Sequence, residues 1–238
     1  MSATDVIDEW LRSAAPAVVF DFNGTLSDDE PILFDIFSHL FADRLGWAMT
    51  AQDYRDHLLG RSDREIVEYA VRHHGRGTDD SPDVEELLRL RRDSYREHVA
   101  ARSPILPDTA ALVTALAGHR IPLAIVTGAQ RDDVRVVLAH SAIGEHFAVL
   151  VAEEDVARGK PDPEGFQTAA RLLDRRPGDI LVFEDSPPGV RAALAAGMHC
   201  VAVAEDPSPE LCGLAPAVVP RLSPTLVAEA LLTRRPGR

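Results

Sequence analysis

The stretch Ala17-Val18-Val19-Phe20-Asp21-Phe22-Asn23-Gly24-Thr25-Leu26-Ser27-Asp28 decides how the rest of this chain is read. Its first four residues are apolar without alternation, as in a short strand buried on both faces of a parallel sheet. Asp21 stands where that strand runs out. Gly24 then allows a sharp turn, and Thr25 adds a hydroxyl beside exposed backbone amides. In open parallel α/β sheets, ligands gather at the carboxyl ends of strands. A carboxylate there can serve as a nucleophile, a metal ligand, or both. The plainer reading is a strand followed by an ordinary Asp-Asn-Gly turn.

Composition narrows the classes. The chain has 238 residues, 45% apolar and 26% charged, enough for one or two domains with a substantial core. No apolar run approaches the ~20 residues of a membrane span. Met1 to Arg12 is acidic and polar without an apolar stretch, so it does not read as a signal peptide. Cys200 and Cys212 are too few for a disulfide framework and lack zinc spacing, so a reduced, cytoplasmic setting is expected. A formal charge of -13 argues against nucleic acid or an anionic membrane as partner. A small anionic substrate remains compatible, because local amides, a lysine and a metal decide its binding.

Outward from the opening stretch, the chain changes character twice. A helix over Thr4 to Ser13, entered through a Thr or Asp cap, precedes the first strand. After the motif, helices are expected over Glu30 to Leu45, from a Thr50 cap to about Leu59, over Asp63 to His73, and from a Ser81 cap over Asp83 to Ala101. Gly60-Arg61-Ser62 reads as a turn and Gly75 to Pro82 as a polar loop. From Pro107 the pattern alternates. Helices over Asp108 to Ala117, Arg131 to His140, Glu164 to Leu173 and Gly189 to Ala196 separate strands over Pro122 to Val126, Phe147 to Val151, Asp179 to Phe183 and His199 to Val203. A short strand over Ala217 to Val219, a helix over Thr225 to Leu232 and a frayed tail over Arg234 to Arg238 close the chain. Repeated strand-helix units mean a parallel sheet covered on both faces. The expected fold is therefore an α/β doubly wound core over 1–28 and 105–238. An all-helical domain over 29–104 is inserted as a cap over the first strand's carboxyl end.

Three further strands then have to deliver chemistry beside Asp21. One ends in Thr127-Gly128-Ala129, a hydroxyl and free backbone suited to an anion. Another is followed by Arg158-Gly159-Lys160-Pro161, a lysine between a glycine and a proline. A third ends in Glu184-Asp185-Ser186. Each has a modest alternative: a helix cap, a solvated lysine, a charged turn. Together they compose one site. Asp21, Glu184 and Asp185 offer hard oxygen ligands for Mg²⁺. Lys160 and Thr127 face phosphoryl oxygens, and Lys160 keeps Asp21 ionised for in-line attack.

These residues resemble the four motifs of the haloacid dehalogenase superfamily, in order, from Val18 to about Val203. The helical insertion resembles that family's type 1 cap. Lys160-Pro161-Asp162-Pro163 and Phe183-Glu184-Asp185-Ser186 with Gly189 look like its β-phosphoglucomutase-like branch. The resemblance implies Asp21 as nucleophile, with Thr127 and Lys160 holding the phosphoryl group beside Gly24, Thr25, Gly128 and Ala129. It implies Mg²⁺ held by Asp21, Glu184, Asp185 and the backbone carbonyl of Asn23. Arg61, in a cap loop, is a candidate substrate contact.

One position departs from the family pattern. Its phosphatases and mutases carry a second Asp two residues after the nucleophile, as the acid and base. Here Asn23 stands there, and an amide supplies no such proton transfer. Asp28 and Asp29 lie close by in sequence. Retention of Glu184-Asp185 argues against a metal-free dehalogenase, and the absence of lysine between Ser2 and Arg158 against a phosphonatase. The expected activity is Mg²⁺-dependent hydrolysis of a small phosphorylated metabolite, such as a sugar phosphate. The alternative is an impaired protein that binds Mg²⁺ and phosphate. A sugar-phosphate mutase is third, disfavoured because Asp63, not Arg, follows Ser62. Arg89, Arg91, Arg92 and Arg96 among Glu85, Glu86, Asp93 and Glu97 read as a solvated helix face, and His73-His74 as a polar helix end.

Overall fold

The computed structural model describes residues 1–58, 61–75 and 83–233. The expected loop over 76–82 with its Ser81 cap, the positions 59 and 60 before Arg61, and the tail 234–238 lie outside the described residues. In chain order the helix α1 (Ala3–Leu11) and strand β1 (Ala17–Phe20) come first. Four helices follow: α2 (Glu30–Leu45), α3 (Ala51–His57), α4 (Asp63–His74) and α5 (Val84–Ala101). Then come α6 (Pro107–Gly118), β2 (Leu123–Val126), α7 (Arg131–Ala139), β3 (Phe147–Val151) and α8 (Glu164–Leu173). The chain ends with β4 (Ile180–Glu184), α9 (Pro187–Ala195), β5 (His199–Val203), α10 (Pro209–Leu214), β6 (Val218–Val219) and α11 (Thr225–Thr233). Two compact units result, Met1–Asp28 with Pro104–Arg238, and Asp29–Ser103.

The first unit is a doubly wound α/β domain around a six-stranded sheet of order β3-β2-β1-β4-β5-β6, every pairing parallel. β1 is central, and all four of its residues are buried. Alternate residues serve opposite faces. Ala17 and Val19 join the layer under α8 and α9 with Phe166, Ala169, Val190 and Ala193. Phe20 stacks on Phe183 of β4 at 5.3 Å between ring centroids. The opposite face packs on α1, itself backed by α11. Trp10 of α1 is wholly buried, and its indole N–H donates to the carbonyls of Ala17 (3.1 Å) and Asp179 (3.0 Å).

Three boundaries differ from the sequence reading for local reasons. The cap of α1 is Ser2 rather than Thr4 or Asp5, closed reciprocally with Asp5. Asp179 closes a 3-10 turn that begins at Pro177, its N–H on the Arg176 carbonyl at 2.9 Å and its carboxylate on the Arg176 side chain at 2.8 and 3.0 Å, and β4 runs from Ile180 to Glu184. The unforeseen α10 begins at Ser208, whose hydroxyl oxygen accepts from the Leu211 N–H at 3.1 Å.

The second unit is all-helical. Thr50 and Ser62 close capping boxes with Asp53 and Glu65 at the starts of α3 and α4; the N-cap of α5 is Asp83. Its interior holds polar pairs. Tyr95 donates to Asp29, Tyr54 donates to Glu30 at 2.9 Å, and Arg91 pairs with Asp63 at 2.9 Å. Arg91 corrects the expectation of a solvated arginine face. Its side chain is 2% exposed and lies 4.6 Å over the Tyr95 ring, whereas Arg89 makes the expected i,i+4 pair with Asp93 at 3.3 Å. His74 is not merely a polar helix end either: it stacks on Trp47 at 3.7 Å.

Trp10→Phe removes the donor shared by two buried carbonyls, together with part of the ring's volume. It is expected to cost about 1–3 kcal/mol of stability in urea unfolding followed by far-UV circular dichroism. An unchanged midpoint would show that these bonds do not tie α1 to the sheet.

Candidate active site

Strand pairing places the first carboxylate. Phe20 lies opposite Ile125 of β2 and Phe183 of β4. The Asp21 N–H continues the ladder to the Phe183 carbonyl at 2.9 Å, which sets Asp21 beside Glu184, the last residue of β4. The sheet order reverses direction at this same pair of strands, and a crevice opens at such a switch point beyond the strand ends.

The turn after β1 is wound tightly. The Phe22 carbonyl accepts from the amides of Thr25 (3.3 Å), Leu26 (2.9 Å) and Ser27 (2.9 Å), while Gly24 N–H donates to Ser27 at 2.8 Å. Gly24 is required there twice over. Its φ is +76°, and a Cβ at this position would lie 2.2 Å from the Asp185 Oδ2. Asn23 is half-buried and bridged through its backbone to Ser27. Thr25 is buried, and its hydroxyl has no hydrogen-bond partner among the described residues.

Thr127 sits one residue past β2, buried, with its N–H bonded to Val151 at 3.0 Å and its hydroxyl oxygen accepting from the Ala129 N–H at 3.0 Å. Gly128 between them is exposed and nothing crowds its missing Cβ. The Ala129 carbonyl accepts from the Glu153 N–H at 3.1 Å. Lys160 arrives from the loop between β3 and α8. Glu164 holds that loop by accepting from the amides of Ala157 (2.9 Å) and Arg158 (3.1 Å). The ammonium donates to Asp21 Oδ1 and, at 2.5 Å, to Glu184 Oε1, and it lies 5.6 Å from the centre of the Phe166 ring.

Glu184 is 0% exposed, and its second oxygen accepts from Ser186 N–H at 2.7 Å and Ser186 Oγ at 2.9 Å. Carboxylate oxygens of Asp21, Glu184 and Asp185 lie within 4.8 Å of one another. Burial pushes the Asp21 carboxyl up, to about 7; Lys160 pulls it down and the Glu184 charge raises it again. Burial alone would lower the Lys160 ammonium, but Asp21 and Glu184 together hold it above the ordinary lysine value. Three carboxylates against one ammonium leave the cluster short of positive charge, and a hard divalent cation meets that deficit with the oxygen donors present.

The structure thus gathers Asp21, Lys160, Glu184 and Asp185, with Gly24, Thr25 and Asn23 in the adjoining turn and Thr127, Gly128 and Ala129 on the next strand end. The remaining candidates have other surroundings within their own units. Arg61 belongs to the helical unit, where its guanidinium lies 5.5 Å over the Tyr69 ring. Asp28 is exposed, with its amide on the Pro104 carbonyl at 3.0 Å. Asp29 is buried in the helical unit with Tyr95. Sequence reasoning missed Glu164, Ser186 and Gly189 as parts of the site's frame. Ser186 was visible only as a helix cap, and nothing along the chain says what a Cβ at 189 would meet.

Known proteins resemble this chain in sequence and fold. The family profile described as haloacid dehalogenase-like hydrolase matches residues 18–203. Validoxylamine A 7'-phosphate phosphatase of Streptomyces hygroscopicus subsp. limoneus is 35% identical over 161 residues, 58% of this chain and 76% of that protein. Beta-phosphoglucomutase of Bacillus subtilis is 28% identical over 192 residues, covering 79% and 83%. The crystal structure of CbbY from Rhodobacter sphaeroides in complex with phosphate superposes with a TM-score of 0.74 at 26% identity, covering 87% of this chain and 94% of that one.

An Asp21 carboxyl that titrates at about 7 must lose its proton before a cation can bind. Calorimetric Mg²⁺ affinity is therefore expected to climb from pH 5.5 to about 7.5 and level off above. An affinity that does not change over that span contradicts a buried, protonated Asp21.

Proposed function

The chain belongs to the haloacid dehalogenase-like hydrolases, and we propose that it is a Mg²⁺-dependent phosphatase of a small phosphorylated metabolite, of the sugar-phosphate kind, working through a phosphorylated Asp21. The observation that carries this reading is the meeting of Asp21, Lys160, Glu184 and Asp185 at the carboxyl ends of β1 and β4. Asp21, Glu184, Asp185 and the backbone carbonyl of Asn23 would hold the ion. The ion's chemistry is charge neutralisation at the phosphoryl oxygens.

The protein's own groups account for the rest. Lys160 and the Thr127 hydroxyl orient the phosphoryl group, and the buried Thr25 hydroxyl has a free donor to offer it. The Asp21 carboxylate attacks phosphorus in line, and the ester oxygen leaves as an alkoxide that takes its proton from solvent. Water then attacks the acyl phosphate and returns the carboxylate with inorganic phosphate. Asn23 neither donates the first proton nor accepts the second, so both steps run without about 10²–10⁴-fold of acid-base help.

That same Asn23 favours a second reading, a protein that keeps Mg²⁺ and phosphate affinity and has lost turnover. A mutase is less well supported. The residue after Ser62 is Asp63, which pairs with Arg91 at 2.9 Å, and Arg64 one position on pairs with Glu85 at 2.7 Å. The insertion 29–104 is proposed as the cap domain that chooses the substrate.

Phosphate release from a panel of phosphorylated metabolites, with and without Mg²⁺, tests the reading. Asp21→Asn should abolish release, and full activity in that variant would falsify the nucleophile. Asn23→Asp should raise the rate by about 10²–10⁴-fold. A wild type that is inert while Asn23→Asp is fast favours the binding protein.

A further inference from the structure

The turn after β2 is closed from within by one bond, the Ala129 N–H donating to the Thr127 hydroxyl oxygen at 3.0 Å. That leaves the hydroxyl its own hydrogen to donate. Gly128, between the two, is exposed, and nothing lies against its missing Cβ. What fixes this turn comes from the segment after β3. The Glu153 N–H donates to the Ala129 carbonyl at 3.1 Å. Gln130 precedes α7 without a side-chain cap, and the Glu154 carboxylate takes that role from a distance, accepting from the Arg131 N–H at 3.2 and 3.3 Å. The Arg131 guanidinium then reaches back the other way. It pairs with Asp155 and donates to the Leu150 carbonyl at 3.3 and 3.4 Å. Asp155 is anchored in turn by the Ala152 N–H at 2.8 Å.

The side chains of Arg131 and Asp155 are 27% and 34% exposed, so their ion pair contributes little to overall stability. Its effect is one of place. A planar guanidinium grips a carboxylate and a carbonyl at once in fixed directions, which a lysine at the same position would not do. We propose that Arg131 is a positioning residue. With Glu154 and Asp155 it latches the Thr127–Ala129 turn to the segment after β3, so that the Thr127 hydroxyl meets an anion from a fixed position. All of these residues belong to the core unit. The consequence for rate rests on the phosphatase reading above; the latch does not.

Amide hydrogen exchange in the full-length, ¹⁵N-labelled protein reads the latch directly. Arg131→Ala is expected to speed exchange at the Ala129 N–H by about tenfold or more, with the strand amides of β1 and β4 unchanged. The calorimetric Kd for inorganic phosphate at saturating Mg²⁺ should rise about tenfold, and kcat/KM should fall by up to about 10²-fold. The Kd for Mg²⁺ should stay within about threefold, since no Mg²⁺ donor proposed above takes part in the latch. Glu154→Ala should act in the same direction, and Glu154→Gln, which keeps an acceptor for the Arg131 N–H, should restore exchange and phosphate affinity. A general loss of stability would not separate those two variants. Should far-UV circular dichroism show Arg131→Ala to be unfolded, the Glu154 pair carries the decision. Unchanged Ala129 exchange in the folded variants overturns the latch, and so does an unchanged phosphate affinity where exchange has risen. A loss of Mg²⁺ affinity as large as that for phosphate marks a general loosening of the site and also overturns it. If the wild type releases no phosphate, the phosphatase reading falls and Ala129 exchange still decides the latch.

Discussion

One ammonium, shared between Asp21 and Glu184, is the contact on which the site depends. Carboxylates buried within 4.8 Å of one another repel, and each loses hydration that an interior does not return. A single positive charge between two of them relieves part of that cost and leaves the rest for a cation. The site is therefore built around an incomplete charge balance. That is a poor device for stability and a good one for gripping a metal and an anionic group together.

The backbone makes such crowding possible. Two glycines, at 24 and 189, stand where a Cβ would collide with the Asp185 and Glu184 carboxylates respectively. One follows β1 and the other opens α9 after β4, the two strands at which the sheet reverses its winding. Both neighbours of β1 in the sheet, with the loop that Glu164 ties down, bring their functional groups to the same edge because all pairings are parallel. In an antiparallel sheet the same residues would alternate between opposite edges.

The helical unit uses buried polar groups differently. Arg91 with Asp63, Tyr54 with Glu30 and Tyr95 with Asp29 pair across its helices. Burial still pushes Glu30 up, to about 7, against the Tyr54 hydrogen bond. Paired groups fix helices against each other, whereas the acidic cluster at the strand ends retains oxygen atoms and charge to spend on a ligand.

Much of this was legible along the chain, and the reason is local. Unbroken apolar runs such as Val18-Val19-Phe20 and Ile180-Leu181-Val182-Phe183, bounded by turn residues, read as strands buried on both faces. Ser and Thr caps mark helix starts, and Asp21, Thr127, Lys160 and Glu184-Asp185 each follow or end such an element. Asn23 was equally plain, since an amide's inability to carry a proton needs no coordinates. Tertiary structure alone decided the rest. Strand order set Asp21 beside Glu184. Packing across α4 and α5 buried Arg91 where periodicity had suggested solvent. A clash that exists only in three dimensions reserved position 189 for glycine. Residue type and spacing report what a segment prefers on its own; which groups end within bonding distance depends on contacts between segments far apart in the chain.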